Sequence, residues 1–303
     1  MILVTGGEGY LGSRIVNYLR LNGLQVRVGG REEKRGVVKI DLSDEDSLKR
    51  ACAGAKYIIH LAAMNSNDCA MNAEQALLIN SLGTLRLLNV AKKSKVIKFL
   101  YFSTVHVYGS SLAGEIDEKS ATNPLHHYSI THRIAEDYVR SVTQNSSMSG
   151  TVFRLTNAVG SPARKNTNCW MLIVNDICKQ AVVNKKMDIY SDEFTHRDFI
   201  SISEICSAVL FTLQSDSLDR QTVNLSSALT TTLQGLTNII VSRSERVLGY
   251  IPEVNFVKGR KRNKKKKLIV SNLKLKELGF TVDSDISNEI DRLLLNCKQW
   301  FKE

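Results

Sequence analysis

The segment Thr5-Gly6-Gly7-Glu8-Gly9-Tyr10-Leu11-Gly12 follows the short apolar run Ile2-Leu3-Val4 and opens a stretch with helical spacing. Glycines 6, 9 and 12 stand in the order G-x-x-G-x-x-G. Between a strand and a helix, such glycines let the backbone turn tightly and leave the N–H groups of the helix start free to receive a pyrophosphate. Glycine-rich turns are common, so the spacing alone is a weak signal. Its setting, with a strand before and a helix after, makes it a dinucleotide-binding loop.

The rest of the first half agrees. β-rich runs at Leu24–Val28, Val37–Ile40, Tyr57–Leu61, Ile97–Ser103 and Thr151–Leu155 alternate with helical patterns at Leu11–Leu21, Ser43–Ala53, Glu74–Lys93 and Tyr128–Val142. That alternation predicts βαβ units in a doubly wound parallel α/β sheet of the Rossmann type. Past residue 156 the regularity fades. One more unit follows, Asp198-Phe199-Ile200 and then Ser203–Leu213, and the tail Ser287–Phe301 places Ile290, Leu293, Leu294, Cys297 and Phe301 at helical spacing for docking on the body. The expected division is a dinucleotide-binding domain from 1–156 and 196–228, with a smaller substrate lobe from 157–195 and 229–303.

Composition narrows the class. The 303 residues are 43% apolar and 23% charged, an ordinary globular balance. No apolar run reaches the ~18 residues of a membrane span, and no basic-then-apolar leader opens the chain. The six cysteines are scattered without a Cys-x-x-Cys pair and read as reduced, packed thiols, with no metal-ligand spacing. These features together predict a cytoplasmic protein. The net charge of +11 is local: KGRKRNKKKK at 258–267 holds eight basic side chains, and outside it 33 basic residues face 30 acidic ones. A specific nucleic-acid partner is therefore not expected. The run reads as a solvated loop or as a weak contact for anionic surfaces.

The end of the second strand bears on the cofactor. An acidic residue there binds ribose hydroxyls, and a basic one accepts a 2′-phosphate. The strand ends in Gly29-Gly30-Arg31, with no acid before Glu32, which favours NADP with Arg31 as the phosphate partner. NAD remains the alternative, with Arg31 a solvated turn residue.

From Asp41 onward the motifs resemble the extended short-chain dehydrogenase/reductase family, in its nucleotide-sugar epimerase/dehydratase branch. After the glycine loop come Asp41-Leu42, His60-Leu61-Ala62-Ala63, Asn80-Ser81-Leu82-Gly83-Thr84, Phe102-Ser103-Thr104-Val105-His106-Val107-Tyr108-Gly109, and Tyr128 four residues after Pro124. Arg154-x-x-Asn157-x-x-Gly160-x-Pro162 and Arg197-Asp198-Phe199-Ile200 complete the series. The resemblance implies a cofactor site of Gly6, Gly9, Tyr10, Leu11, Gly12, Arg31, Asp41, Leu42, Leu61, Ala62, Ala63, Asn80, Tyr128, His132 and Thr156. It implies Thr104 and Tyr128 as catalytic residues. Thr104, His106, Asn157 and Arg197 would meet a nucleotide sugar, and a guanidinium suits the diphosphate. It also implies a homodimer on the helices at 74–93 and 128–146. On plainer readings Asp41 caps the following helix, Asn157 shapes a turn and His106 packs in its loop.

One departure stands out. Where the family carries Tyr-x-x-x-Lys, this chain reads Tyr128-Ser129-Ile130-Thr131-His132. The family lysine binds the nicotinamide ribose and lowers the tyrosine pKa, whereas histidine carries charge only when protonated, with a free pKa near ~6.5. Three outcomes stay open: a working Tyr128–His132 pair with Thr104, charge supplied by Arg133, or a site that binds cofactor without redox chemistry and serves as a redox sensor or binding protein. The two residues after Thr104 are Val105 and His106 in place of the Asp-Glu of 4,6-dehydratases, so dehydration is disfavoured. The expected reaction is reduction or epimerisation at C4 of a nucleotide sugar.

Overall fold

The computed structural model describes residues 1–110, 112–257 and 267–302. Seven strands form one parallel sheet: β1 (Ile2–Thr5), β2 (Val26–Gly30), β3 (Val37–Lys39), β4 (Tyr57–His60), β5 (Lys98–Thr104), β7 (Ser149–Leu155) and β11 (Thr222–Leu225). Their spatial order is β3-β2-β1-β4-β5-β7-β11. The chain thus runs outward from β1 in one direction and resumes at β4 in the other. β1 and β4 are neighbours, paired Ile2↔Tyr57 to Thr5↔His60. The crevice for a ligand therefore opens beyond Thr5 and His60, the topological switch point of a doubly wound sheet.

Both faces of the sheet are covered, which explains strands that read as continuous apolar runs. One face packs Val4, Leu100, Phe153 and Val223 against the helices Tyr10–Leu21 and Ile202–Gln214. The other packs Leu3, Ile58, Phe99 and Val152 against Glu45–Cys52, Thr84–Lys93 and His127–Gln144. Polar side chains start the helices: Asp44 accepts from Asp46 N, and Ser201 accepts from Glu204 N.

Among the described residues, three smaller sheets accompany the large one. β10 (His196–Ser201) lies between β8 (Asn157–Val159), parallel, and β12 (Thr230–Thr232), antiparallel. β9 (Lys186–Ile189) pairs with β13 (Glu253–Phe256), and β6 (Gly114–Ile116) with β14 (Leu268–Val270). A separate core collects Val159, Ile177, Phe199, Leu236 and the tail helix Ser287–Phe301, whose Ile290, Leu293, Leu294 and Cys297 are wholly buried. All six cysteines are free and buried, as their scatter suggested.

One element differs from the expected pattern. The stretch read as a single helix over Glu74–Lys93 is helical throughout but takes a π turn in its middle. Helices Ser66–Met71 and Ala73–Ala76 come first, then a π-helical segment Leu77–Gly83, then Thr84–Lys93. Asn72, between those first two helices, turns its side chain back to accept from Gln75 N. The wide π turn carries Asn80, and a side chain at Gly83 would lie 2.9 Å from the Leu42 side chain. Of the basic run 258–267, only Lys267 falls within the described residues.

Candidate active site

The glycine loop closes the crevice from the β1 side. Gly6 holds φ +65°, and a Cβ there would sit 2.9 Å from Ala62 N. A Cβ on Gly12 would fall 2.1 Å from Gly6 O, so only glycine lets the helix start this close to the turn. Tyr10 and Leu11 follow. The Tyr10 hydroxyl is turned away from the loop and donates to Gly160 O at 2.8 Å and Asn175 Oδ1 at 3.1 Å, tying the loop to the far side of the crevice.

Behind the loop, Thr5 and His60 form a closed hydrogen-bond set. Thr84 Oγ1 donates to Asn80 O, so it accepts from His60 Nε2 at 3.0 Å. His60 Nδ1 then accepts from Thr5 Oγ1 at 2.6 Å, and Thr5 in turn accepts from the N–H groups of Leu61 and Ala62. This fixes Leu61, Ala62 and Ala63 at the end of β4. Burial pushes the His60 pKa down to about 3, so the ring is neutral.

Asn80 reaches out of the π segment, accepting from Met64 N at 2.7 Å and donating to Thr131 Oγ1 at 3.1 Å. It thereby braces the helix that carries Tyr128. Asp41 accepts from the backbone N–H and the hydroxyl of Ser43, which lowers its pKa; the cap of the next helix is Asp44.

Thr104 ends β5, and Tyr128 and His132 occupy the facing turns of the His127–Gln144 helix. The Tyr128 and His132 rings meet edge-on with centroids 4.4 Å apart. Burial, with some help from Cys69, pushes the Tyr128 pKa up to about 12 against the opposing hydrogen bond from Thr104. His132 is 3% exposed, and burial pushes its pKa down to about 4. Histidine here is therefore neutral at pH 7 and lends no positive charge to Tyr128. Arg133 does not substitute, because its guanidinium pairs with Asp137 at 2.6 Å and its Nε donates to Thr122 Oγ1. His132 Nδ1 lies 2.7 Å from the Tyr101 hydroxyl, whereas its Nε2 is buried with no partner among the described residues.

A further set holds this wall rigid. Ser103 Oγ donates to Glu136, which pairs with Arg154 at 2.7 Å, and Arg154 lies over the Tyr108 ring.

Across the crevice, Thr156 Oγ1 donates to Asp198 Oδ1 and Asn157 Nδ2 donates to Asp198 O, so both shape the β8–β10 junction. Arg197 has no ion pair among the described residues, and desolvation lowers its pKa. It is close enough to His106 to help depress that ring to about 4, after burial and His126. His106 Nδ1 is buried without a partner among the described residues, and its ring lies 5.6 Å from that of His126, which in turn stacks at 6.4 Å on Tyr128. Thr104, His106, Tyr128 and His132 are thus neighbours on one wall.

Three residues at the site escaped the sequence reading. Tyr101 is the partner of His132. It stands in the middle of an apolar buried strand, where a phenol needs a hydrogen-bond partner, and that signal could have found it. His126 caps the His127–Gln144 helix by accepting from Ser129 N. Glu8, inside the glycine loop, brings Oε2 to within 2.5 Å of where a Cβ on Gly30 would stand, so the strand end does have a carboxylate beside it. Glu8 pairs with Lys34 at 2.7 Å and Arg164 at 3.3 Å, and the exposed Arg31 has no ion pair among the described residues.

A switch-point crevice under a glycine loop, with a Thr–Tyr pair on the adjoining wall, defines a nicotinamide-dinucleotide protein of the short-chain dehydrogenase/reductase type. The residues fit such a cofactor: the glycine cradle admits no Cβ at Gly6 or Gly12, and the buried His132 Nε2 lacks a partner among the described residues. Residues 2–226 match the NAD dependent epimerase/dehydratase family, and the chain belongs to it. It is similar to the GDP-6-deoxy-D-talose 4-dehydrogenase of Aggregatibacter actinomycetemcomitans, 28% identical over 74% of this chain and 73% of the relative. Two solved structures share the fold. The UDP-glucose 4-epimerase of Thermotoga maritima with UDP-glucose matches at TM-score 0.81 and 23% identity, covering 99% of this chain and 98% of that one. The RMD protein of Pseudomonas aeruginosa complexed with NADPH matches at 0.83 and 21%, covering 98% of each. No helix among the described residues is long and apolar enough to cross a membrane.

Proposed function

We propose that this protein reduces the 4-keto group of a nucleotide-activated sugar with NADPH. The observation that carries the reading is the neutral, buried His132 beside a Tyr128 that keeps its proton, with a pKa of about 12. Reduction asks the tyrosine to act as an acid, and a protonated phenol does so directly. Epimerisation asks it also to act as a base on the C4 hydroxyl, for which the missing lysine charge is the usual aid. The absence of a carboxylate at Val105 and His106 argues against dehydration.

In this reading Gly6, Gly9, Tyr10, Leu11 and Gly12 hold the pyrophosphate, Asp41 and Leu42 border the adenine, and Arg31 takes the 2′-phosphate. Leu61, Ala62, Ala63, Asn80, His132 and Thr156 line the nicotinamide half. When bound, the nicotinamide supplies the hydride for C4. Tyr128 gives its phenolic proton to the C4 oxygen as negative charge builds there, and Thr104 donates a hydrogen bond to the same oxygen. Asn157 and the unpaired Arg197 receive the sugar diphosphate, with His106 against the sugar and residues 157–195 and 229–303 forming the substrate lobe. Leu77, Leu78, Ile130 and Tyr138, exposed on the two crevice helices, form the contact of a homodimer.

The test is to identify the copurifying cofactor and assay a panel of nucleotide sugars and their 4-keto forms. Stoichiometric NADPH oxidation with a keto sugar supports reduction, and turnover of an unmodified sugar without net cofactor use makes the protein an epimerase. Absence of turnover with every member supports the second reading, a cofactor-binding relative, for which the lost lysine charge also speaks.

A further inference from the structure

We infer that Tyr101 is a positioning residue that fixes the tautomer of His132, holding an Nε2–H donor toward the cofactor site where the family pattern has a lysine amine. The argument begins with a count of protons. The Tyr101 hydroxyl lies 2.7 Å from His132 Nδ1, and the phenol is 2% exposed. His132 Nε2 is buried and without a partner among the described residues. With the ring proton on Nδ1, that group donates to the Tyr101 oxygen. The phenolic proton then has no acceptor among the hydrogen bonds of the described residues, and Nε2 is a bare acceptor. With the proton on Nε2, the phenol donates to Nδ1, and the only unmet group is Nε2–H. Each unmet buried group carries the penalty of a lost hydrogen bond, so the second arrangement wins.

The phenol is well suited to stay the donor. Burial, then the carboxylate of Glu136, raises its pKa well above 10. The ring is held on both sides, with centroids 5.8 Å from His60 and 5.8 Å from His132. His60, closed by Thr5 and Thr84, offers Tyr101 no competing acceptor. What remains is one buried N–H beside Tyr128, without a partner among the described residues. A histidine can give one such bond without charge, provided its second nitrogen is occupied, and Tyr101 occupies it.

The role in turnover rests on the oxidoreductase reading above; the tautomer itself does not. The experiment is therefore ¹⁵N NMR of the histidine rings in the cofactor-free protein, with His132 assigned from the His132→Gln variant. The wild-type spectrum is expected to show His132 as Nε2–H, with the Nδ1 shift of a hydrogen-bonded acceptor. Tyr101→Phe keeps the ring packing and is expected to move His132 toward the other tautomer or into exchange, while His60 keeps its signals as an internal check on folding. In turnover the same variant is expected to raise KM for the cofactor about tenfold, and to change it by less than twofold when His132 is already Gln. A wild-type Nδ1–H ring overturns the inference, as does an unchanged His132 spectrum in Tyr101→Phe. If the tautomer moves as expected but no sugar is turned over, the proposed function fails and the positioning role stands.

Discussion

His60 and His132 are buried neutral histidines on either side of one tyrosine, yet their hydrogen bonding differs. His60 has both nitrogens engaged, by Thr5 and Thr84, within a set of groups that satisfy one another. His132 has one nitrogen engaged by Tyr101 and the other buried without a partner among the described residues. The first arrangement is what a structural histidine requires: a buried polar group costs little once its partners are complete. The second holds an unmet group at the cost of stability, and such a cost is understandable where a ligand completes the set. Two identical side chains flanking one tyrosine thus differ in whether their hydrogen bonds close.

The sharpest way to break that comparison is to remove the group His132 adjoins. Tyr128→Phe takes away one hydroxyl on the partly open side of the pair. Its loss is expected to lower kcat by about 10²–10⁴-fold, the usual weight of a positioned proton donor, with the melting temperature nearly unchanged. Steady-state assay of the purified variant decides it. Unchanged kcat would mean that the open nitrogen of His132 serves something other than this reaction.

Acid should expose both histidines together. His60 and His132 are neutral in the folded chain, with pKa values of about 3 and 4 against 6.5 when free. Below pH 6.5 the unfolded chain takes up protons that the folded one refuses. Stability is therefore complete above pH 6.5 and falls as the pH drops toward 4 for His132 and 3 for His60. At ~1.4 kcal/mol per pKa unit, the His132 share is about 3 kcal/mol between pH 7 and 4. Urea denaturation at several pH values should show His132→Gln with a flatter pH dependence than wild type.

Thr84→Val tests the closed member. The substitution keeps shape but leaves His60 Nε2–H and Asn80 O without their partner, at a cost of about 1–3 kcal/mol. A melting temperature lower by a few degrees is expected, with kcat per folded molecule retained. A large loss of kcat would show that the closed set also serves the reaction.

How much of this was legible in the sequence follows from contact range. The glycine loop, the alternation of strands and helices and the tail helix were readable because each is written in local spacing: Gly6, Gly9 and Gly12, or Ile290, Leu293, Leu294 and Cys297. Thr104, Tyr128 and His132 were found as motif members, and the structure brings them onto one wall. The state of that wall was not readable. Whether His132 is charged depends on burial, and whether Tyr101 reaches it depends on how strand β5 faces a helix 31 residues away in sequence. Glu8 was passed over for the same reason: its neighbours Lys34 and Arg164 converge only in three dimensions. The π turn around Asn80 was hidden because its leucines keep helical spacing.

The contrast between closed and open groups repeats at the end of β2, the adenosine site of the proposed function, where the smallest effect is expected. Lys34 is closed, paired with Glu8, while Arg31 is open. An exposed pair of this kind contributes about 0–1 kcal/mol, so Lys34→Ala should change KM for NADPH by less than about threefold. A free guanidinium within reach of a 2′-phosphate offers charge-assisted bonds that a ribose hydroxyl cannot match. Arg31→Ala should then raise KM for NADPH by about tenfold, equivalent to ~1.4 kcal/mol, and leave KM for NADH in place. Glu8→Gln discriminates further. It removes a carboxylate that repels the phosphate and releases Lys34 toward it, so NADPH should bind more tightly. Weaker NADH binding in Glu8→Gln, with Arg31→Ala silent toward NADPH, would instead make Glu8 the ribose acceptor and NAD the cofactor.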